Sequence, residues 1–224
     1  METRRPVYSA ALVLPFLCIY HTGTVILNTT YINGADALIL RILGLFSVPS
    51  MFASALVLIA YFAIWQYRAK ASLKINRKYL LLTFMESIGL AMVLLLFFGN
   101  SIPRFSAGLF TGSGEFSDFV LYCGAGIYEE LVFRAFLLGI LVLIFKRTLH
   151  RNTKTAAVSA AITGALIFSL FHYIGPSGDI FSLGSFVQRT LAGLYFSVIY
   201  VTRGFGITAA CHAFYDILVG LLFF

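Results

Sequence analysis

The sequence predicts an all-α protein: a polytopic transmembrane helical bundle of about seven spans. Three observations carry that expectation. Of the 224 residues, 60% are hydrophobic and only 11% are charged, whereas soluble domains carry about 25% charged residues. The mean hydropathy is +0.92, and apolar runs of about 20 residues, the length of helix that crosses a hydrocarbon core, recur along the chain. Basic residues fall in short clusters between those runs, as orientation signals do. The pattern leaves no room for a soluble domain, so residues 1–224 read as a single integral membrane domain. The net charge of +7 resides in the short clusters. It points to lipid headgroups, and no nucleic-acid partner is expected.

The first span is read over Val7 to Leu27, after the charged start Met1-Glu2-Thr3-Arg4-Arg5. No small-residue cleavage pattern follows, so it is kept as a span rather than a removed leader. A polar stretch, Asn28 to Asp36, leads to a second span over Ile39 to Trp65, broken by Pro49; Trp65 and Tyr67 suit an interfacial belt. The most basic loop runs from Arg68 to Lys78. The third span, Tyr79 to Phe98, carries one acid, Glu86, read as a satisfied bundle residue. A Gly/Ser/Pro loop leads to the fourth span, Phe119 to Phe145, which ends in a second basic loop, Lys146 to Lys154. The fifth span is Ala156 to Ile174, the sixth Phe186 to Val201 and the seventh Ile207 to Phe224, with Thr202-Arg203-Gly204 turning the chain between the last two.

With the N-terminus inside, twelve basic residues fall on the inner side: Arg4, Arg5, Arg68, Lys70, Lys74, Arg77, Lys78, Lys146, Arg147, Arg151, Lys154 and Arg203. Three, Arg41, Arg104 and Arg189, fall on the outer side. That asymmetry predicts a multi-pass protein with a cytoplasmic N-terminus, and the economy of the chain suits a prokaryotic cell membrane. Cys18, Cys123 and Cys211 lie in apolar surroundings without metal-type spacing and read as packing residues.

Chemistry concentrates in Gly126-Ile-Tyr-Glu-Glu-Leu-Val-Phe-Arg-Ala-Phe-Leu-Leu138, in the fourth span. Ionisable groups at bilayer depth cost several kcal/mol on insertion scales, so Glu129, Glu130 and Arg134 are functional candidates. Glu130 and Arg134 are four apart and stack on one helix face. Glu129 is rotated by about 100° from Glu130 and has no such partner. Two carboxylates in different environments suit a division of labour, one structural and one chemical. His172 ends the fifth span, and His212 and Asp216 sit one turn apart on the seventh. Gathered in one cavity, such a set can activate water: glutamate and histidine take the proton, and a second histidine donates to an oxyanion.

Three motifs then carry a family resemblance. Glu129-Glu-Leu-Val-Phe-Arg134 fits E-E-x-x-x-R, Phe168-Ser-Leu-Phe-His172 fits F-x-x-x-H, and His212-Ala-Phe-Tyr-Asp216 fits H-x-x-x-N/D. Their order and separation resemble the CPBP family of type II CAAX prenyl endopeptidases and bacteriocin-processing, Abi-type membrane proteins. The likeness covers residues 119–224, the expected catalytic core; residues 1–118 read as variable N-terminal spans. It implies an intramembrane glutamic endopeptidase with its site between spans four, five and seven. By resemblance, Glu129 is the general base, His172 assists it, His212 helps to form the oxyanion site with Asp216 in support, and Glu130 with Arg134 is the structural pair. Asp216 replaces the asparagine of the prenyl-protease branch. An ionised Asp only accepts hydrogen bonds, so it can orient His212 but stabilises an oxyanion directly only when protonated.

The expected partners are the lipid bilayer and a peptide or protein substrate at or in the membrane. On the charge-derived topology the site faces the outer half of the membrane, which favours an exported peptide, a leader or a C-terminal anchor over a prenylated cytosolic protein. No cofactor is expected, although two histidines with glutamates also suit a zinc-dependent variant. The alternatives are a catalytically silent scaffold, such as an immunity or signalling partner, and a transport protein using Glu86 and Glu130.

Overall fold

The computed structural model describes residues 4–27, 32–46, 52–99, 115–148, 152–175 and 178–223. Pro49, Arg104 and Arg151 lie outside them. The described residues form helices and no strand: α1 (Pro6–Ile26), α2 (Gly34–Gly44), α3 (Ala53–Ala69), α4 (Arg77–Phe98), α5 (Glu115–Glu130), a π-helical segment (Leu131–Leu138), α6 (Gly139–Arg147), α7 (Thr153–Phe171), α8 (Leu183–Arg203) and α9 (Phe205–Phe223). Helices α1, α4, α7 and α9 are long and apolar enough to cross a membrane. Helix α3, at 17 residues, is shorter, and α8 carries Gln188, Arg189, Thr190 and Arg203 in its 21 residues.

Local chemistry sets the helix ends. Asn33, Asn76 and Asn152 are N-caps, their side chains accepting from the N–H of Ala35, Lys78 and Thr155. Each satisfies a backbone donor that the first helical turn leaves open. Helix α3 ends on Lys70 in the left-handed region, at φ 46°. Gly204, at φ 93°, makes the abrupt joint between α8 and α9, a conformation that a residue with a Cβ adopts only with strain. The expected second span is two helices, α2 and α3. The expected fourth span is one helical run through α5 and α6 that widens to π geometry between them. Helix α7 stops at Phe171, so His172 is its C-cap and not part of a helix reaching Ile174.

Successive long helices run between two ends. The Arg5 guanidinium donates to the Lys74 carbonyl (2.6 Å), the Asn76 N–H to the Tyr8 hydroxyl (2.8 Å), and Arg4 Nε to the Thr202 carbonyl (2.9 Å). The Gly206 N–H donates to Ser9 Oγ (3.2 Å). The starts of α1, α4 and α9 and the finish of α8 therefore share one end, and the basic segments around Arg4, Lys74 and Arg203 gather there. Glu86 pairs with Arg203 at 2.5 Å, in keeping with its reading as a satisfied bundle residue.

Helix α9 is the central post. Ala209, Ala210 and Ala213 pack into a core with Phe16, Tyr20, Ile127 and Leu131. Ile207 and Cys211 pack into a second core with Leu94, Phe196 and Ile199. Helices α5 and α9 approach closely because small residues face each other: a Cβ on Gly126 would lie 2.6 Å from both the Ala213 Cβ and its backbone N. Close backbone approach through small residues is the usual way helices associate where no hydrophobic force separates protein from lipid. Cys123 and Cys211 are buried as expected, whereas Cys18 is exposed on the outer face of α1. An apolar lipid environment accepts a thiol there without a packing role.

Candidate active site

Glu130 and Arg134 are buried charges, with 0% and 2% of their side chains exposed. Arg134 Nη1 lies 3.1 Å from Glu130 Oε1, and Arg134 Nη2 donates to the Gly193 carbonyl (3.3 Å). The guanidinium lies over the Phe168 ring, 4.3 Å from its centroid. A planar cation that both hydrogen-bonds and stacks suits such a site. Arg134 sits within the π segment, whose wider turn departs from the α-helical ladder; such segments recur at functional sites.

Glu130 also fixes the first histidine. His212 Nδ1 lies 2.8 Å from Glu130 Oε1, and its ring stacks on Phe196 with centroids 4.4 Å apart. Since a carboxylate only accepts, Nδ1 carries the hydrogen, and Nε2 is turned to the other side. There it lies 3.9 Å from Glu129 Oε2 and 3.5 Å from Asp216 Oδ2.

His172 reaches the same place from α7. Its Nδ1 lies 2.8 Å from the Phe168 carbonyl, one turn back. A carbonyl also only accepts, so Nδ1 again carries the hydrogen. Its Nε2 lies 3.9 Å from Glu129 Oε2. Two imidazoles, each anchored through Nδ1, thus present Nε2 to one carboxylate oxygen at equal distance. A gap of 3.9 Å exceeds a direct hydrogen bond and suits a water molecule bridging the two groups.

The structure therefore brings together all six residues singled out in the sequence. Glu130 and Arg134 form the closed floor. Glu129, His172 and His212 converge above it. Asp216, with 24% of its side chain exposed, and His172, with 18%, form the more open side. For a zinc ion the available atoms would be the two Nε2 and Glu129 Oε2; among the described residues, no group of three or more His, Cys, Asp or Glu stands at metal-binding geometry.

Sequence reasoning missed the Glu130–His212 contact and one more. Asn33 Nδ2 donates to Glu129 Oε1 at 3.0 Å. Asparagine before a helix signals a cap, but no spacing links position 33 to position 129. Beside the site, His21 Nε2 lies 2.6 Å from the Tyr128 hydroxyl, so His21 is tied to the neighbour of Glu129 and not to the carboxylate.

A buried carboxylate thus faces two oriented imidazoles within an apolar helical bundle. Residues 116–218 match the family described as type II CAAX prenyl endopeptidase Rce1-like. The match agrees with the resemblance that the three motifs carry. The matched segment includes Glu129, Glu130, Arg134, His172, His212 and Asp216, and leaves out Asn33. No curated protein and no solved structure matches the chain.

Proposed function

We propose that the protein is an intramembrane endopeptidase that hydrolyses a peptide bond of a membrane-associated peptide or protein with an activated water. The observation that carries this reading is the pair of 3.9 Å separations between Glu129 Oε2 and the Nε2 atoms of His172 and His212.

In this mechanism Glu129, assisted by His172, takes a proton from the water as its oxygen bonds to the carbonyl carbon. The carbonyl π bond opens to an oxyanion. His212, as an imidazolium facing Glu130, Glu129 and Asp216, donates an Nε2–H hydrogen bond to that oxyanion and keeps its proton throughout. On collapse the carbon–nitrogen bond breaks, and the proton held by the Glu129–His172 pair passes to the leaving amine. The products are an amine and a carboxylic acid, which then gives up its proton to become a carboxylate, with no covalent intermediate. Asp216 orients His212, while Glu130 and Arg134 hold its ring.

The family match supports a protease. The substrate is a peptide or protein presented in the outer half of the membrane, given a cytoplasmic N-terminus. Supporting this, Glu129 contacts Asn33, which follows the end of α1 opposite Arg4 and Arg5. Quantitative mapping of protein termini in membranes and medium tests the reading. Cells with the wild-type protein should show new termini that vanish with Glu129→Gln, at equal protein level. An identical set of termini in both would favour the silent scaffold. Reporter fusions that place Lys146–Lys154 outside would overturn the orientation.

A further inference from the structure

We propose that Asn33 is a positioning residue for Glu129, so that the residue capping α2 completes the active site. The proposal rests on the endopeptidase reading above and extends it beyond residues 116–218.

The Asn33 side chain has two fixed ends. Its Oδ1 accepts from the Ala35 N–H at 2.8 Å, which caps α2. Its Nδ2 donates to Glu129 Oε1 at 3.0 Å. Its backbone N–H in turn donates to the Tyr20 hydroxyl at 3.2 Å, and that hydroxyl donates to Asp36 Oδ2 at 2.6 Å. Tyr20 and Asp36 are buried. The amide is thus braced from α1 and from α2, and its N–H has little freedom to leave the carboxylate.

The consequence lies in how Glu129 uses its two oxygens. Oε1 is held by Asn33, and Oε2 faces both imidazoles. A carboxylate is free to rotate about its last bond, so a donor on one oxygen fixes where the other points. A hydrogen bond to an ionised acceptor is about twice as strong as a neutral one. It also favours the carboxylate form, which the water-activating step needs. Glu129 has no such donor on its own helix; the first two helices supply it.

Two roles of Asn33 can be separated, because Asn, Asp and Ser cap helices about equally well. N33S keeps the cap but is too short to reach Glu129. N33D keeps the cap and replaces the donor with a like charge. The experiment uses the purified full chain in detergent, with a quenched fluorescent peptide spanning a cleavage site found by the termini comparison. Turnover, KM and thermal unfolding are measured for wild type, N33S, N33D, Tyr20→Phe and Glu129→Gln. Positioning predicts that N33S loses turnover by about 10- to 100-fold, the range of a charge-assisted hydrogen bond. N33D should lose more, and KM and unfolding temperature should stay near wild type in both. Tyr20→Phe, which loosens the brace without touching the side chain, should lose turnover by a smaller factor. If N33S and N33D turn over like wild type while Glu129→Gln is inactive, Asn33 is only a cap and the proposal is overturned. If Glu129→Gln cleaves as fast as wild type, the endopeptidase reading with Glu129 as base fails, whatever the Asn33 variants do. Should N33D not fold, N33S and Tyr20→Phe decide the matter on the same criteria.

Discussion

Replacing Arg134 by methionine should destabilise the protein far more than any change at Glu129. Methionine keeps the length and apolar bulk of the side chain and removes its charge. Glu130 is then left buried, with 0% of its side chain exposed. Its Oε2 has no hydrogen-bond partner among the described residues, so only His212 at Oε1 would remain. Breaking a buried ion pair from one side costs about 3–5 kcal/mol, because the surviving charge is uncompensated. The Gly193 carbonyl would lose its 3.3 Å donor, a further cost of about 1 kcal/mol. The expected loss is therefore about 4–6 kcal/mol, measurable by reversible unfolding in mixed micelles followed by helix content. The double replacement Glu130→Leu with Arg134→Met should recover much of it, since an apolar pair removes both desolvation penalties. A loss below about 1 kcal/mol for Arg134→Met would refute the assignment of this pair as the structural floor, because surface ion pairs behave that way and buried ones do not.

Other outcomes follow from the same geometry. Glu129→Gln and His172→Ala should each reduce cleavage by about 10²- to 10⁴-fold, the contribution of a positioned acid–base group, while leaving the unfolding temperature near wild type. Asp216→Asn should retain activity within about tenfold, because asparagine can still accept from His212 through its carbonyl oxygen; complete loss would assign Asp216 a charge-dependent step. Gly126→Ala should cost about 1–3 kcal/mol by overpacking, since its Cβ would meet Ala213 at 2.6 Å, and unfolding in micelles again measures it. Incubation with a strong zinc chelator should leave turnover unchanged; loss of turnover that zinc restores would instead support the zinc-dependent variant.

Much of the site was legible because its residues sit in local patterns. Glu130 with Arg134 and His212 with Asp216 are pairs at helical spacing, and charged groups in apolar runs stand out. The span boundaries were legible where hydropathy changes sharply, as at Phe98, while the helix that begins at Arg77 takes in the last two residues of the basic loop. Three features were not. The π widening at Leu131–Leu138 falls in a run with no Pro or Gly to mark it. The end of α7 at Phe171 rather than Ile174 reflects the His172 side chain turning back to the Phe168 carbonyl. The Asn33 contact joins residues 96 positions apart, and an asparagine with a sufficient local role as a cap gives no sign of a second one. Glu86 was read correctly as a satisfied residue, but its partner Arg203, 117 positions away, was not nameable from spacing.

The central claim is that Glu129 activates a water that cuts a peptide bond. Its most direct test is cleavage by the purified protein in water enriched in heavy oxygen, with the peptide identified from the cell. The account predicts that wild type places one heavy oxygen in the new carboxylate at every cut, and that Glu129→Gln, folded to the same extent, cleaves at least about 100-fold more slowly. Equal cleavage by Glu129→Gln would contradict it.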